Sequence, residues 1–256
     1  IPLEIGAALA YGIVTFYVLK SGVMAVGWTN TFQGVFMIII AWVLGLYLPT
    51  HFYGGVGQMF DSIATERPGF LTAPGLNGSG EPWTWTGYSS AVLVSLIGVQ
   101  MWPHLFMKAF TAKNNEIIRR TTILFPTFWL FLIPVFLIGF AGVLFPEKPP
   151  TSDFILPFMI MQTDLPPLIV GLFCAGALSA SMSTGDALLH GSASVVEEDA
   201  IRLFIDLDDK QAQTLMRVLI VLVGITSYVL ALGDQSSLVD LLLASYGIIC
   251  QLAPTV

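Results

Sequence analysis

The chain has 256 residues, 55% of them apolar and 11% charged, and carries a net charge of −7 at neutral pH. With a mean hydropathy of +0.80, that balance excludes a soluble globular domain and describes an all-α polytopic membrane protein. No basic patch offers a surface for nucleic acid.

Seven stretches are apolar for long enough to cross a hydrocarbon core of about 30 Å: residues 3–20, 24–48, 88–107, 121–145, 166–190, 214–232 and 236–254. The chain opens at Ile1-Pro2, stops inside an apolar segment at Thr255-Val256, and reads as an internal fragment of a longer protein. The second span begins Ala25-Val26-Gly27-Trp28-Thr29-Asn30-Thr31-Phe32-Gln33. Its polar side chains either cap the helix at the interface or line a functional path. Connection 49–87 is rich in Gly, Pro and Trp, with a short surface helix expected near Gln58–Thr65. Its Gly54-Gly55-Val56-Gly57 run precedes no strand–helix unit, so it is no nucleotide loop.

The third span carries Pro103 late in a helical pattern, after Gly98 and Gln100. Proline there breaks or kinks the helix and frees upstream carbonyls. At membrane depth such a break is tolerated where it lines a cavity; a plain kink near the inner interface is the alternative. His104 and Lys108 belong at the membrane edge.

The fifth span organises the chain. Asp164 and Pro166-Pro167 make a helix start, and about twenty mostly apolar residues follow. Ser179, Ser183, Asp186, His190 and Ser194 then recur at intervals of 4, 3, 4 and 4, on one helix face. A polar stripe on a membrane helix faces protein or water, because lipid cannot satisfy it. Two adjacent hydroxyls, Ser183 and Thr184, with a nearby backbone carbonyl make the hard oxygen cluster a small hard cation prefers. Small hydroxyl residues also serve plain helix–helix packing. Asp186, far along the helix, is either solvated or paired at a gate, or else a ligand. Cys174 and Cys250 sit in apolar runs and read as buried small hydrophobes rather than a disulfide. With no metal-ligand cluster and no nucleophile–base pairing, the chain does not read as an enzyme.

Basic residues set the orientation. Lys20, Lys108, Lys113, Arg119, Arg120, Arg202, Lys210 and Arg217 lie at odd-numbered connections, against Arg67 and Lys148 at even ones. Odd connections are therefore expected in the cytoplasm and connection 49–87 outside.

Three blocks carry a resemblance: Ala25–Gln33; Gln100-Met101-Trp102-Pro103-His104; and Ala180-Ser181-Met182-Ser183-Thr184-Gly185-Asp186, running on to Glu197-Glu198-Asp199. Together they resemble the sodium/solute symporter family, nearest its proline and pantothenate branches. The resemblance implies a LeuT-type fold of two inverted five-helix repeats. Residues 1–256 would be one transmembrane transporter domain fragment, with the last two helices of repeat one at about 1–48 and repeat two at about 88–254. It implies Na+ as coupling ion, held by the Ala180 carbonyl and the Ser183 and Thr184 hydroxyls, with further ligands from a helix outside this chain. It places Ser95, Val99, Gln100, Pro103 and, more weakly, Tyr246 at the solute. Many members have Asp where Asn30 stands, so one coupled sodium is expected. The implied function is symport of a small organic solute (amino acid, pantothenate or short organic acid) across a bacterial or archaeal cytoplasmic membrane. The alternative is a transporter-like sensor domain of a membrane histidine kinase.

Overall fold

The computed structural model describes residues 3–20, 23–76, 81–100, 102, 104–105, 110, 112–146, 149, 152–233 and 238–251. Among them the chain is helical between turns, with one isolated bridge joining Leu76 and Pro82. The helices are α1 (Leu3–Lys20), α2 (Val23–Tyr53), α3 (Val56–Glu66), α4 (Trp85–Gln100), α5 (Asn115–Phe128), α6 (Leu132–Ala141), α7 (Ile155–Met161), α8 (Pro167–Val196), α9 (Asp209–Gly233) and α10 (Leu238–Cys250).

Each predicted span coincides with a helix. Four stretches are long and apolar enough to cross a membrane: Gly27–Tyr53, Asn115–Ala141, Pro167–Ile201 and Asp209–Gly233. The other three spans coincide with the shorter helices α1, α4 and α10. Several ends differ from expectation. α2 runs to Tyr53, where the amides of Gly54, at φ +83°, and Gly55 bond the carbonyls of Thr50 and Pro49. α8 continues to Val196 and closes in a π-helical turn, Glu197–Ile201. α9 starts at Asp209, because Asp208 and Gln211 cap it reciprocally: the Gln211 amide donates to Asp208 Oδ1 at 2.7 Å, and the Asp208 amide donates to Gln211 Oε1 at 3.1 Å. α4 is described as far as Gln100. The break expected at Pro103 lies outside the described residues.

The chain divides into two compact units. The first comprises Ile1–Met37, Trp102–Ala112 and Cys174–Ser236. Here α1 packs along α9. Val14 and Val18 meet Leu189, Ala193 and Ile220 in a buried cluster. Gly224 makes the approach close: a Cβ there would sit 2.8 Å from Thr15 Oγ1. Membrane helices lack a hydrophobic drive toward each other, so such small-residue contacts, which raise dispersion, hold them. Tyr11 and Tyr228 add an edge-on ring pair at 6.0 Å.

The second unit comprises Ile38–Met101, Lys113–Phe173 and Ser237–Val256. Its core gathers Leu44, Leu48, Met59, Ile63, Ile138 and Met159. The short helix expected near Gln58–Thr65 is α3. It buries Met59 and Ile63 completely and turns its polar residues outward. Burial of two such side chains contributes about 1.5–3 kcal/mol each where the alternative is water. Gly45 meets α6 backbone to backbone: a Cβ there would lie 2.6 Å from Pro134 Cβ and 2.7 Å from its carbonyl oxygen. The Tyr53 hydroxyl donates to the Ala141 carbonyl at 2.7 Å.

Cys174 is exposed, not buried. An apolar run on a membrane helix faces lipid as readily as protein, so hydropathy alone does not separate the two.

Candidate functional site

In the first unit α8 turns its polar stripe inward. Asp186 is 1% exposed and Ser194 is buried, while Ser179, Ser183 and His190 are half-buried. The Ser183 hydroxyl donates to the Ala180 carbonyl at 3.0 Å. This back-bond is natural for a serine inside a helix, and it sets the two oxygens side by side with the hydroxyl lone pairs still available. Ala180 and Ser183 are half-buried, and Thr184 is exposed. Neighbouring residues on a helix diverge by about 100°, so Thr184 sits on the flank of the stripe.

α2 supplies the facing polar groups. The Asn30 side-chain nitrogen donates to the Ser183 carbonyl at 3.5 Å and to Asp186 Oδ1 at 3.4 Å. Asn30 Oδ1 and Gln33 Oε1, one turn apart, are buried without a hydrogen-bond partner among the described residues. Thr29 bonds the Tyr17 hydroxyl of α1. Thr29, Asn30 and Gln33 of the second span's opening therefore point into protein rather than capping a helix end, whereas Thr31 is exposed and bonds the Gly27 carbonyl of its own helix. Asp186 is not solvated: α8 carries it inside the first unit against Asn30. The stripe marked its face, but nothing in the spacing marked its depth or its partner.

Ser95, Val99, Gln100 and Tyr246 fall in the second unit. Ser95 and Val99 are half-buried, one turn apart near the end of α4. The structure brings Tyr246 of α10 to them. A Cβ on Gly98, the neighbour of Val99, would lie 3.0 Å from the Tyr246 Cβ. Glycine at 98 thus lets the tyrosine lie flat on the closing turn of α4. The Gln100 side chain and Pro103 lie outside what the structure describes.

The model of the family described as sodium:solute symporters matches residues 1–254. The chain belongs to the sodium:solute symporter family. An uncharacterized symporter of Bacillus subtilis, YhjB, is 29% identical over 243 residues, covering 94% of this chain and 49% of its own length. The sodium/pantothenate symporter of Haemophilus influenzae is 28% identical over 193 residues, covering 75% and 38%. The chain thus spans about half or less of these relatives. A solved Na+-coupled sialic acid symporter, substrate-bound and outward-open, superposes with a TM-score of 0.76 over 99% of this chain and 56% of its own, at 20% identity. The fold is that of a symporter. Membership places the apolar helices in a bilayer, so the chain is part of a multi-pass integral membrane protein.

Proposed function

We propose that the chain is the sodium-binding part of a carrier that drives a small organic solute inward with one sodium ion. The observation that supports this most is the Ala180 carbonyl and Ser183 hydroxyl held 3.0 Å apart on a membrane helix, beside a buried carboxylate. Hard, uncharged oxygens in a polar niche fit a monovalent hard cation. Thr184 adds the third oxygen, and a helix outside these residues completes the shell. Ser95, Val99, Gln100, Pro103 and Tyr246 contact the solute near the end of α4, where Pro103 is expected to break the helix. Half-helix ends of this kind present free backbone groups to substrate.

The repeat boundaries, about 1–48 and 88–254, belong to the same proposal. So do the bacterial or archaeal cytoplasmic membrane and the solute class. Proline and pantothenate carriers among the relatives favour an amino acid or short acid. One charge crossing about 100 mV releases about 2.3 kcal/mol, and a tenfold sodium gradient adds about 1.4. Together they support roughly 500-fold accumulation.

Uptake by the full-length protein in proteoliposomes tests the reading. Solute accumulation that collapses when sodium is replaced by potassium or choline is expected. Accumulation independent of sodium, or none for any small amino acid or organic acid, overturns it.

A further inference from the structure

Two exposed cations of the first unit face one largely aliphatic cavity. Lys20, at the end of α1, and Arg217, in the third turn of α9, are both exposed and line the same cavity of about 460 Å³. Neither forms an ion pair among the described residues. The rest of that cavity is aliphatic: Leu19, Val218, Val221 and Leu222. Leu19 and Val221 also line a second, almost wholly apolar cavity of about 330 Å³, which continues between α1 and α9 past Phe16 and Gly12 to Tyr228. The Lys20 ammonium lies 5.9 Å from the centroid of the Phe16 ring, at the mouth of this crevice.

Three acidic groups also stand near the two cations, and Arg202 engages two of them. A third cavity, about 500 Å³, shares Lys20 and Arg217 and is lined by Glu197, Glu198, Arg202 and Asp209. Arg202 donates through Nε and Nη2 to Glu197 Oε1, both at 3.1 Å, and reaches Glu198 at 3.4 Å. Asp209 lies in the first turn of α9, where the helix dipole favours its charge.

We propose that the α1–α9 crevice binds an anionic phospholipid, its phosphate on Lys20 and Arg217 and an acyl chain along Leu19, Val221 and Phe16. The shape is that of an amphiphile, with charge at one end and hydrocarbon along the rest. From Gly12 to Lys20 the crevice rises about 12 Å along α1, most of the half-thickness of one leaflet, about 15 Å. The bias of basic residues assigns both cations to the inner side, where a bacterial leaflet presents anionic headgroups. A polar solute would leave the aliphatic walls unmatched, and a neutral lipid would leave the cations unanswered.

Native mass spectrometry of the purified, delipidated full-length protein tests this with added phosphatidylglycerol, phosphatidylcholine of the same chains, and inorganic phosphate. Phosphatidylglycerol is expected to remain bound where phosphatidylcholine does not, and millimolar phosphate should not displace it. Lys20→Gln or Arg217→Gln should each weaken binding about fivefold, and the pair together about 30-fold. Lys20→Arg with Arg217→Lys should retain it. Where the double variant does not give a monodisperse protein, the two single variants decide. Equal retention of both lipids, or unchanged binding in the glutamine variants, overturns the proposal, as would a covering helix that keeps every lipid out. Displacement by inorganic phosphate alone overturns the acyl-chain part and leaves a bare anion site.

Discussion

The side-chain amide of Asn30 donates to a carboxylate oxygen of Asp186 at 3.4 Å, across 156 residues of chain. It ties α2 to α8 directly behind Ser183. An amide orients a carboxylate but does not neutralise it, so the pair differs in charge from a site built on two acids. We expect one sodium per solute, measured as a reversal potential in proteoliposomes holding known sodium and solute gradients. A ratio of two would mean that the Asp186 carboxylate supplies the charge Asn30 lacks. In Asn30→Asp two carboxylates would share the site, and like charges that close do not both stay ionised without a proton or cation. Its ratio should move above one, with either sodium or a proton as the added ion.

Ser183→Ala or Thr184→Ala removes one oxygen without filling its place. Losing a contact of this kind to a charged group costs about 1.5–3 kcal/mol. The sodium concentration for half-maximal uptake should then rise roughly 10- to 150-fold. Ser183→Thr and Thr184→Ser keep the oxygen and should cost far less. Solute affinity should fall at limiting sodium and recover at saturating sodium, because the two sites are linked. Alanine variants that insert stably with wild-type sodium dependence would show these hydroxyls to be packing residues.

Gly98→Ala addresses the proposed solute end. The new methyl would lie 3.0 Å from the Tyr246 Cβ, so Tyr246 and its stretch of α10 must shift by a few tenths of an ångström from the end of α4. At saturating sodium the KM for solute should rise while the half-saturating sodium concentration stays put. An unchanged KM would remove Tyr246 from the solute group.

Orientation is checked by labelling. Thr65 on α3 and Asn115 at the start of α5 are exposed. Single cysteines there, in a cysteine-free full-length background, should react with an impermeant maleimide from outside and only after permeabilisation, respectively. The reverse pattern would invert the topology.

The spans were legible because length and apolar content alone decide whether a helix suits a bilayer. Their ends were not. α8 carries its helix on to Val196 with polar residues that hydropathy scores as loop, and the cap that starts α9 is a contact between Asp208 and Gln211. Which face of each helix meets protein was legible only on α8, where polar residues mark it. On uniformly apolar helices, Leu48 at 0% exposure and Phe16 at 65% read alike. The spacing marked Ser183 and Thr184 with a backbone carbonyl nearby, and the family resemblance alone named that carbonyl as Ala180. The Asn30–Asp186 pairing joins distant segments, and no periodicity encodes that. Tyr246 against Gly98 belongs to the same class: the resemblance named Tyr246 but not its neighbour.

Gly45 and Pro134 touch through backbone, with no side chain between them on the glycine's side. Such a crossing behaves as a pivot rather than a slide. Turning α2 against α6 about that point keeps the contact, whereas moving either along its axis drives a neighbouring Cβ into the other's main chain. Gly45→Ala should therefore destabilise the second unit by about 1–3 kcal/mol, seen as earlier loss of the monodisperse peak on heating in detergent. Gly45 would also set the axis for any rocking within that unit. Mechanically, the helix that holds Asn30 against Asp186 is journalled further along its length by a residue with no side chain.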